Sequence, residues 1–131
     1  MNETHRFSVR VYYEDTDFSG NVYHSAYLHF FERARTEFLR ALGVHHSVLI
    51  RDGIAFAVRS MQIEFEAAAH IDDLLEVETS VEALTPARLQ LAQRITRQGT
   101  QLTTARVLVV AINAAGRPAR LPRAITEALA R

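Results

Sequence analysis

The chain has 131 residues, enough for one domain with a single core, and its composition is that of an ordinary globular protein: 48% hydrophobic and 23% charged. Fifteen Lys and Arg balance fifteen Asp and Glu, so the charge pattern argues against nucleic-acid binding. Cysteine is absent, which excludes disulfides, cysteine nucleophiles and thiolate metal sites. The start, Met1 to Arg6, is polar and lacks the apolar core of a secretion signal. The longest nearly apolar run, Val107 to Ile112, is far too short to cross a bilayer. The expectation is a soluble cytoplasmic protein with one domain over 1–131.

Phe7 to Val11 alternates apolar and polar residues and reads as a strand, with Tyr12 and Tyr13 as its extension. Glu14 to Asn21 is polar and carries the turn signal Ser19-Gly20-Asn21. Ser25 to Leu42 then reads as a helix. Tyr27, Phe30, Phe31, Ala34, Phe38, Ala41 and Leu42 form one apolar face, and Glu32, Arg33, Thr36, Glu37 and Arg40 fill the other. Ser25 is the expected N-cap, Gly43 the expected residue past the C-terminus, and Arg33 and Glu37 a pair at i, i+4. So aromatic a helix is expected to be wrapped closely by a sheet.

After it the period changes to two. Met61 to Phe65, Leu75 to Glu82 and Leu89 to Thr96 alternate as half-buried strands. Gln98-Gly99 marks a hairpin into Gln101 to Ile112. Val107 to Ile112 is apolar on both faces, so this strand is central or covered by a partner. Ala115 to Pro118 ends it, and Pro122 precedes a short C-terminal helix. His45 and His46 read as exposed loop residues. One long helix against five strands is an α+β arrangement.

The polar residues that could carry chemistry concentrate in Tyr12 to His24, just before the long helix. A helix N-terminus offers free N–H groups and a positive dipole end, which polarise a carbonyl oxygen. A carboxylate held nearby could attack that carbonyl or direct a water to it. An Asp before a helix also serves as a cap or holds an Asx-turn, and His24 alone would serve as well for capping. Asp15, Asp17 and Ser19-Gly20 imitate the start of a calcium loop, but its twelfth position is Ala26 where a bidentate Glu belongs. Asp15, Asp17, His24 and His29 match no metal spacing, so no metal or cofactor is expected. There is no Gly-x-Ser-x-Gly elbow and no phosphate-binding glycine loop.

The segments Val11 to Asp17, Gly20, Val22 to His24, Tyr27-Leu28 and Phe31 to Glu37 together resemble the Tol-Pal-associated acyl-CoA thioesterases. These belong to the 4-hydroxybenzoyl-CoA thioesterase-like hotdog proteins. The likeness continues through Val58-Arg59, Asp72-Asp73, Gln93 to Ile95 and Val107 to Val110, and ends at Leu121-Pro122. It implies a hotdog fold, a five-stranded antiparallel sheet wrapped round one long helix, and homodimers that assemble to homotetramers with sites between subunits. It implies that Asp17 is catalytic, that the N–H at His24 polarises the thioester carbonyl, and that the His24 side chain orients water or the carboxylate. Asp15 holds the turn.

Tyr23, Arg59 and Arg88 are the candidate substrate-binding residues, with Arg94 and Arg97 as further candidates for the CoA phosphates. The substrate implied is acyl-CoA, with acyl-carrier protein as a second carrier. Two other readings stay open: an enoyl-CoA hydratase or dehydratase using Asp17 and His24, and a non-catalytic acyl-carrier or envelope-complex module. The sequence departs from the family pattern at Ser19, where Gly or Ala is usual, at Ala68, where proline is usual, and at His70, where a basic residue is usual. The first reads as harmless. The other two bear on the shape of the loop before Asp72.

Overall fold

The computed structural model of the chain describes residues 3–130. Met1 and Asn2 of the polar start lie outside the described residues, as does Arg131.

The order of elements is β1 (His5–Arg10), α1 (His24–Ala41), α2 (His46–Arg51), β2 (Ile54–Phe65), β3 (Leu74–Leu84), β4 (Arg88–Arg97), β5 (Thr100–Asn113), β6 (Pro118–Ala119) and α3 (Arg123–Leu129). The strands form one antiparallel sheet in the order β1-β3-β4-β5-β2. The hotdog arrangement expected from the resemblance is present. A sixth strand, β6, adds two residues against Ala111 and Ile112, just past Val110, where β4 stops pairing with β5.

Helix α1 forms because its apolar residues return every three or four positions. Ala26, Tyr27, Phe30, Phe31, Ala34, Phe38 and Leu39 are buried. They meet the inner faces of the strands, where Leu75 and Val77, Leu89, Leu91 and Ile95, and Val107 and Val109 are buried. Each large side chain so buried contributes about 1.5–3 kcal/mol. Ala41, expected on the apolar face, is exposed. Strand β5 does lie inside the sheet. Val107, Val109 and Ala111 face the core, while Leu108, Val110 and Ile112 stay half-buried on the outer face.

The helix start differs from expectation. Tyr23 is the N-cap with no side-chain bond, His24 is the first helical residue, and Ser25 lies inside the helix. The helix end is as expected. Gly43, at φ +84°, donates its N–H to Arg40 O, and Val44 N–H reaches Leu39 O, both at 2.9 Å. This is a Schellman closure, and Leu39 and Val44 are both buried beside it. The Arg33–Glu37 pair is not formed; Glu37 pairs with Arg40 at 3.3 Å instead.

Three further expectations are corrected. Tyr12 and Tyr13 do not extend β1, because a 3-10 turn takes over at Tyr13–Asp15. His46 is not a loop residue: it opens α2 and lies edge-on to Phe56, with ring centroids 5.6 Å apart. Strand β2 begins at Ile54, ahead of the alternating stretch, and carries a bulge between Val58 and Ser60.

Thr79, Gln93 and Thr103 are buried polar residues on the inner face of the sheet, and the Thr103 hydroxyl has no partner among the described residues. Gln93 Nε2 donates to Phe31 O at 3.1 Å and Thr79 Oγ1 at 3.0 Å, and Gln93 Oε1 accepts from Arg35 at 3.0 Å. Burial is tolerable because every polar atom of the amide group has a partner. The three outward glutamates of β3 are paired as well: Glu78 with Arg94, Glu76 with Arg6 and Glu82 with Arg106.

Candidate active site

The loop between β1 and α1 is built from its own short side chains. Asp15 Oδ2 accepts the Tyr12 N–H at 2.8 Å, and Thr16 Oγ1 donates to Tyr13 O at 2.8 Å, closing the 3-10 turn. Thr16 then bridges to Val22, and Asp17 N–H donates to Asn21 O at 2.8 Å. The result is a miniature hairpin whose tip is Phe18-Ser19-Gly20. Gly20 sits at φ +85°, where a side chain would be strained, and its N–H returns to Asp17 O at 3.0 Å. Asp15 O accepts the Tyr23 N–H at 3.0 Å and so aims the chain into α1. Asp15 therefore holds the turn.

A second loop, residues 66–73, closes against this hairpin. Val22 N–H donates to Ala69 O at 3.0 Å, and Ile71 N–H to Gly20 O at 2.9 Å. Asp73 Oδ2 accepts the His70 N–H at 2.8 Å and pairs with Arg97 at 2.7 Å. Arg97 also reaches Ala68 O at 3.3 Å. These bonds hold the loop in shape without the usual proline, and His70 pairs with Asn21 through its main chain.

Between the two loops lies a cleft of about 460 Å³. Asp17, Asn21, Tyr23, His24 and Tyr27 line one side, and Phe65 to Ala68 line the other. The His24 ring lies against Phe65 with centroids 4.5 Å apart, and Tyr27 meets the same Phe65 edge-on at 5.4 Å. The backbone N–H of His24 has no partner among the described residues. The cleft thus has a free donor at the positive end of an 18-residue helix.

Asp17 is half-buried at the rim, and its two oxygens differ. Oδ1 accepts the Ser19 hydroxyl at 2.7 Å, the Ser19 N–H at 2.8 Å and the Asn21 N–H at 3.2 Å. Oδ2 accepts nothing from the described residues. The Ser19 hydroxyl and N–H, helped by Asn21, hold the carboxyl below its ordinary value against a small opposing effect of burial. Asp17 is therefore ionised throughout the neutral range. A carboxylate with one oxygen held and one open can accept a proton from water or attack a carbonyl.

Asp17, Tyr23 and His24 are thus brought together. Arg59 and Arg88 are not. Arg59 lies at the bulge of β2, six residues from Phe65, or about 20 Å at 3.3 Å per residue. Arg88 opens β4 opposite Val110, toward the same far end. Arg94 is paired with Glu78 on the outer face. There an open groove of about 450 Å³ crosses the sheet among Glu64, Glu78, Arg94 and Arg106, without a helix terminus. Among the described residues no three metal-binding side chains stand together, and no helix is long and apolar enough to cross a membrane.

Tyr27, Asn21 and Phe65 to Ala68 were not singled out from sequence as site residues. One signal was present for Tyr27, a lone hydroxyl on an otherwise apolar helix face, which must find a partner when buried.

Residues 11–129 match the model of the thioesterase-like superfamily. The chain is 44% identical over 128 residues to the acyl-CoA thioester hydrolase YbgC of Escherichia coli O6:H1, covering 95% of this chain and 96% of that one. The chain belongs to the YbgC family of acyl-CoA thioesterases. The YbgC acyl-CoA thioesterase of Haemophilus influenzae is also 44% identical, over 93% of this chain and 91% of its own. Among solved structures, a probable thioesterase from Bartonella henselae shares 45% identity with a TM-score of 0.88, covering 92% of this chain and all of that one.

Proposed function

We propose that this acyl-CoA thioesterase works through Asp17 and the His24 N–H in the cleft between the two loops. The observation that carries this reading is that an open carboxylate oxygen and an unpartnered helix N–H line one cavity. The thioester carbonyl oxygen would sit on the His24 N–H, with the carbonyl carbon toward Asp17 Oδ2. As negative charge builds on that oxygen, a fixed donor is worth roughly 3 kcal/mol.

Two routes fit. In one, Asp17 takes a proton from water, the hydroxide oxygen bonds to the carbonyl carbon, and the C–S bond breaks to release CoA thiolate and the acid. In the other, Asp17 Oδ2 bonds to the carbon and expels the thiolate, and water then hydrolyses the mixed anhydride. A thiolate leaves without strong proton assistance, which suits a cleft with few acids. The His24 ring would orient the water or the carboxylate, and Tyr23, exposed at the cleft, would contact the substrate.

The reading takes the active unit as a homodimer that pairs into a homotetramer, in the cytoplasm, with acyl-carrier protein as a second carrier. Strand β2 ends the sheet and leaves a twelve-residue edge on which a second copy could continue it. Arg59 lies in that edge strand and would meet CoA phosphates of a site completed by the partner subunit; Arg88, at the same end of the sheet on β4, would be a second contact there.

The test is Asp17→Asn assayed by free thiol release across acyl-CoA chain lengths and on acyl-carrier protein. Undiminished turnover with an intact fold would reject the assignment.

A further inference from the structure

We infer that the Ser19 hydroxyl is a positioning group for the Asp17 carboxylate, pinning Oδ1 so that Oδ2 alone is left to act in the cleft. The inference rests on the reading of Asp17 as the reacting carboxylate. It goes beyond that reading by assigning a role to a residue that, by sequence, looked like a neutral filler of the turn.

The argument starts from the count of donors. A carboxylate oxygen offers about two lone-pair positions, and three donors converge on Asp17 Oδ1. Two are backbone N–H groups that almost any residues at 19 and 21 would supply. The third, at 2.7 Å, exists only because position 19 carries a hydroxyl. Hydroxyl-to-carboxylate bonds of that length belong to the strong, charge-assisted class. With Oδ1 saturated, rotating the carboxylate would cost all three bonds at once. The group is therefore fixed with Oδ2 open.

Ser19 is exposed, and its hydroxyl has no other partner among the described residues. An exposed serine is not held in place by core packing, so packing does not explain the bond. Other titratable groups surround the cleft: Tyr23 at the end of the hairpin, His24 and Tyr27 on α1, and Glu66 and His70 on the facing loop. None of them makes an ion pair or a hydrogen bond with the Asp17 carboxylate among the described residues. Asp15 on the same loop has its own partner in the Tyr12 N–H. The acid side of the pH profile, where it reports Asp17, therefore depends on the Ser19 and Asn21 donors. Because the Ser19 hydroxyl favours the ionised form, removing it must raise the pH at which Asp17 takes up a proton.

The experiment compares the full-length chain with Ser19→Ala, Ser19→Thr and Asp17→Asn. It reads kcat/KM against pH on one acyl-CoA and titrates the Asp17 carboxyl carbon by NMR. Ser19→Ala is expected to move both the acid limb and the carboxyl titration up by about half to one pH unit, while Ser19→Thr, which keeps the hydroxyl, brings both back. A merely structural role would change the amount of active protein without moving either midpoint. If Asp17→Asn is inactive but Ser19→Ala leaves both midpoints in place, the inference about Ser19 is overturned and Asp17 stands. If Asp17→Asn turns over like the parent, both fall.

Discussion

The buried hydroxyl of Tyr27 accepts the backbone N–H of Ala69 at 2.8 Å, across 42 positions of sequence. Tyr27 is in the first turn of α1 and Ala69 in the loop that forms the opposite wall of the cleft, so this bond sets the width between them. Both residues are buried, at 2% and 0% exposure, and burial pushes the Tyr27 phenol up from its ordinary pKa, so it stays protonated. Tyr27→Phe keeps the ring against Phe30 and Phe65 but leaves the Ala69 N–H buried without a partner. The expected loss is about 1–3 kcal/mol in urea unfolding, with a raised KM. Unchanged stability and KM would show that the bond does not hold the wall.

Asp73 anchors the other end of the same loop. Burial disfavours its charge, but the His70 N–H and the Arg97 guanidinium outweigh that and leave its carboxyl below the ordinary value. A carboxyl lowered on folding adds stability above its unfolded pKa, about 3.9, and loses it as pH falls through the lower folded value. Asp73→Asn should therefore be less stable than the parent at pH 7, by about 1 kcal/mol for a pair that is only partly shielded from solvent. The gap should narrow below about pH 4. Urea midpoints from pH 7 downward measure it, and a gap independent of pH would contradict the account.

At the far end of α1, Gly43 holds a left-handed conformation in which a Cβ would meet no atom within 4 Å. The cost of a side chain there is thus backbone strain alone. Gly43→Ala should lower stability by about 1 kcal/mol, and Gly43→Asn by less, because Asn enters this region more readily. Thermal melts that rank Ala at or above the parent would refute the Schellman closure.

Much of this was legible in the sequence where the signal is local. The aromatic spacing from Tyr27 to Phe38 marked the buried face of α1, Gly43 marked its end, and Gln98-Gly99 marked the hairpin between β4 and β5. That turn has both residues at positive φ. The Asp-Thr-Asp block drew attention as well, but its spacing suits a cap or an Asx-turn equally, and only the resemblance to the thioesterases singled out Asp17. The start of α1 was not legible, since it is set by Asp15 O holding the Tyr23 N–H and owes nothing to the Ser25 side chain. Nor was the wall formed by Phe65 to Ala68. Only long-range pairing of β2 with β5, and the contacts of Val22 and Gly20 with residues 69–71, carry it to the helix. The arginines illustrate the same limit: Arg97 is tied to Asp73, while Arg59 and Arg88 are separated from the cleft by the length of the strands.

The central claim is that the open oxygen of Asp17 reacts at the thioester. Asp17→Asn leaves an amide that can still accept from Ser19 and Asn21, so the hairpin should fold, but it can neither take a proton from water nor form an anhydride. Measured by free thiol release on acyl-CoA, kcat should fall by about 100-fold or more while far-ultraviolet dichroism stays that of the parent. A folded Asn variant with the parent's kcat would contradict it.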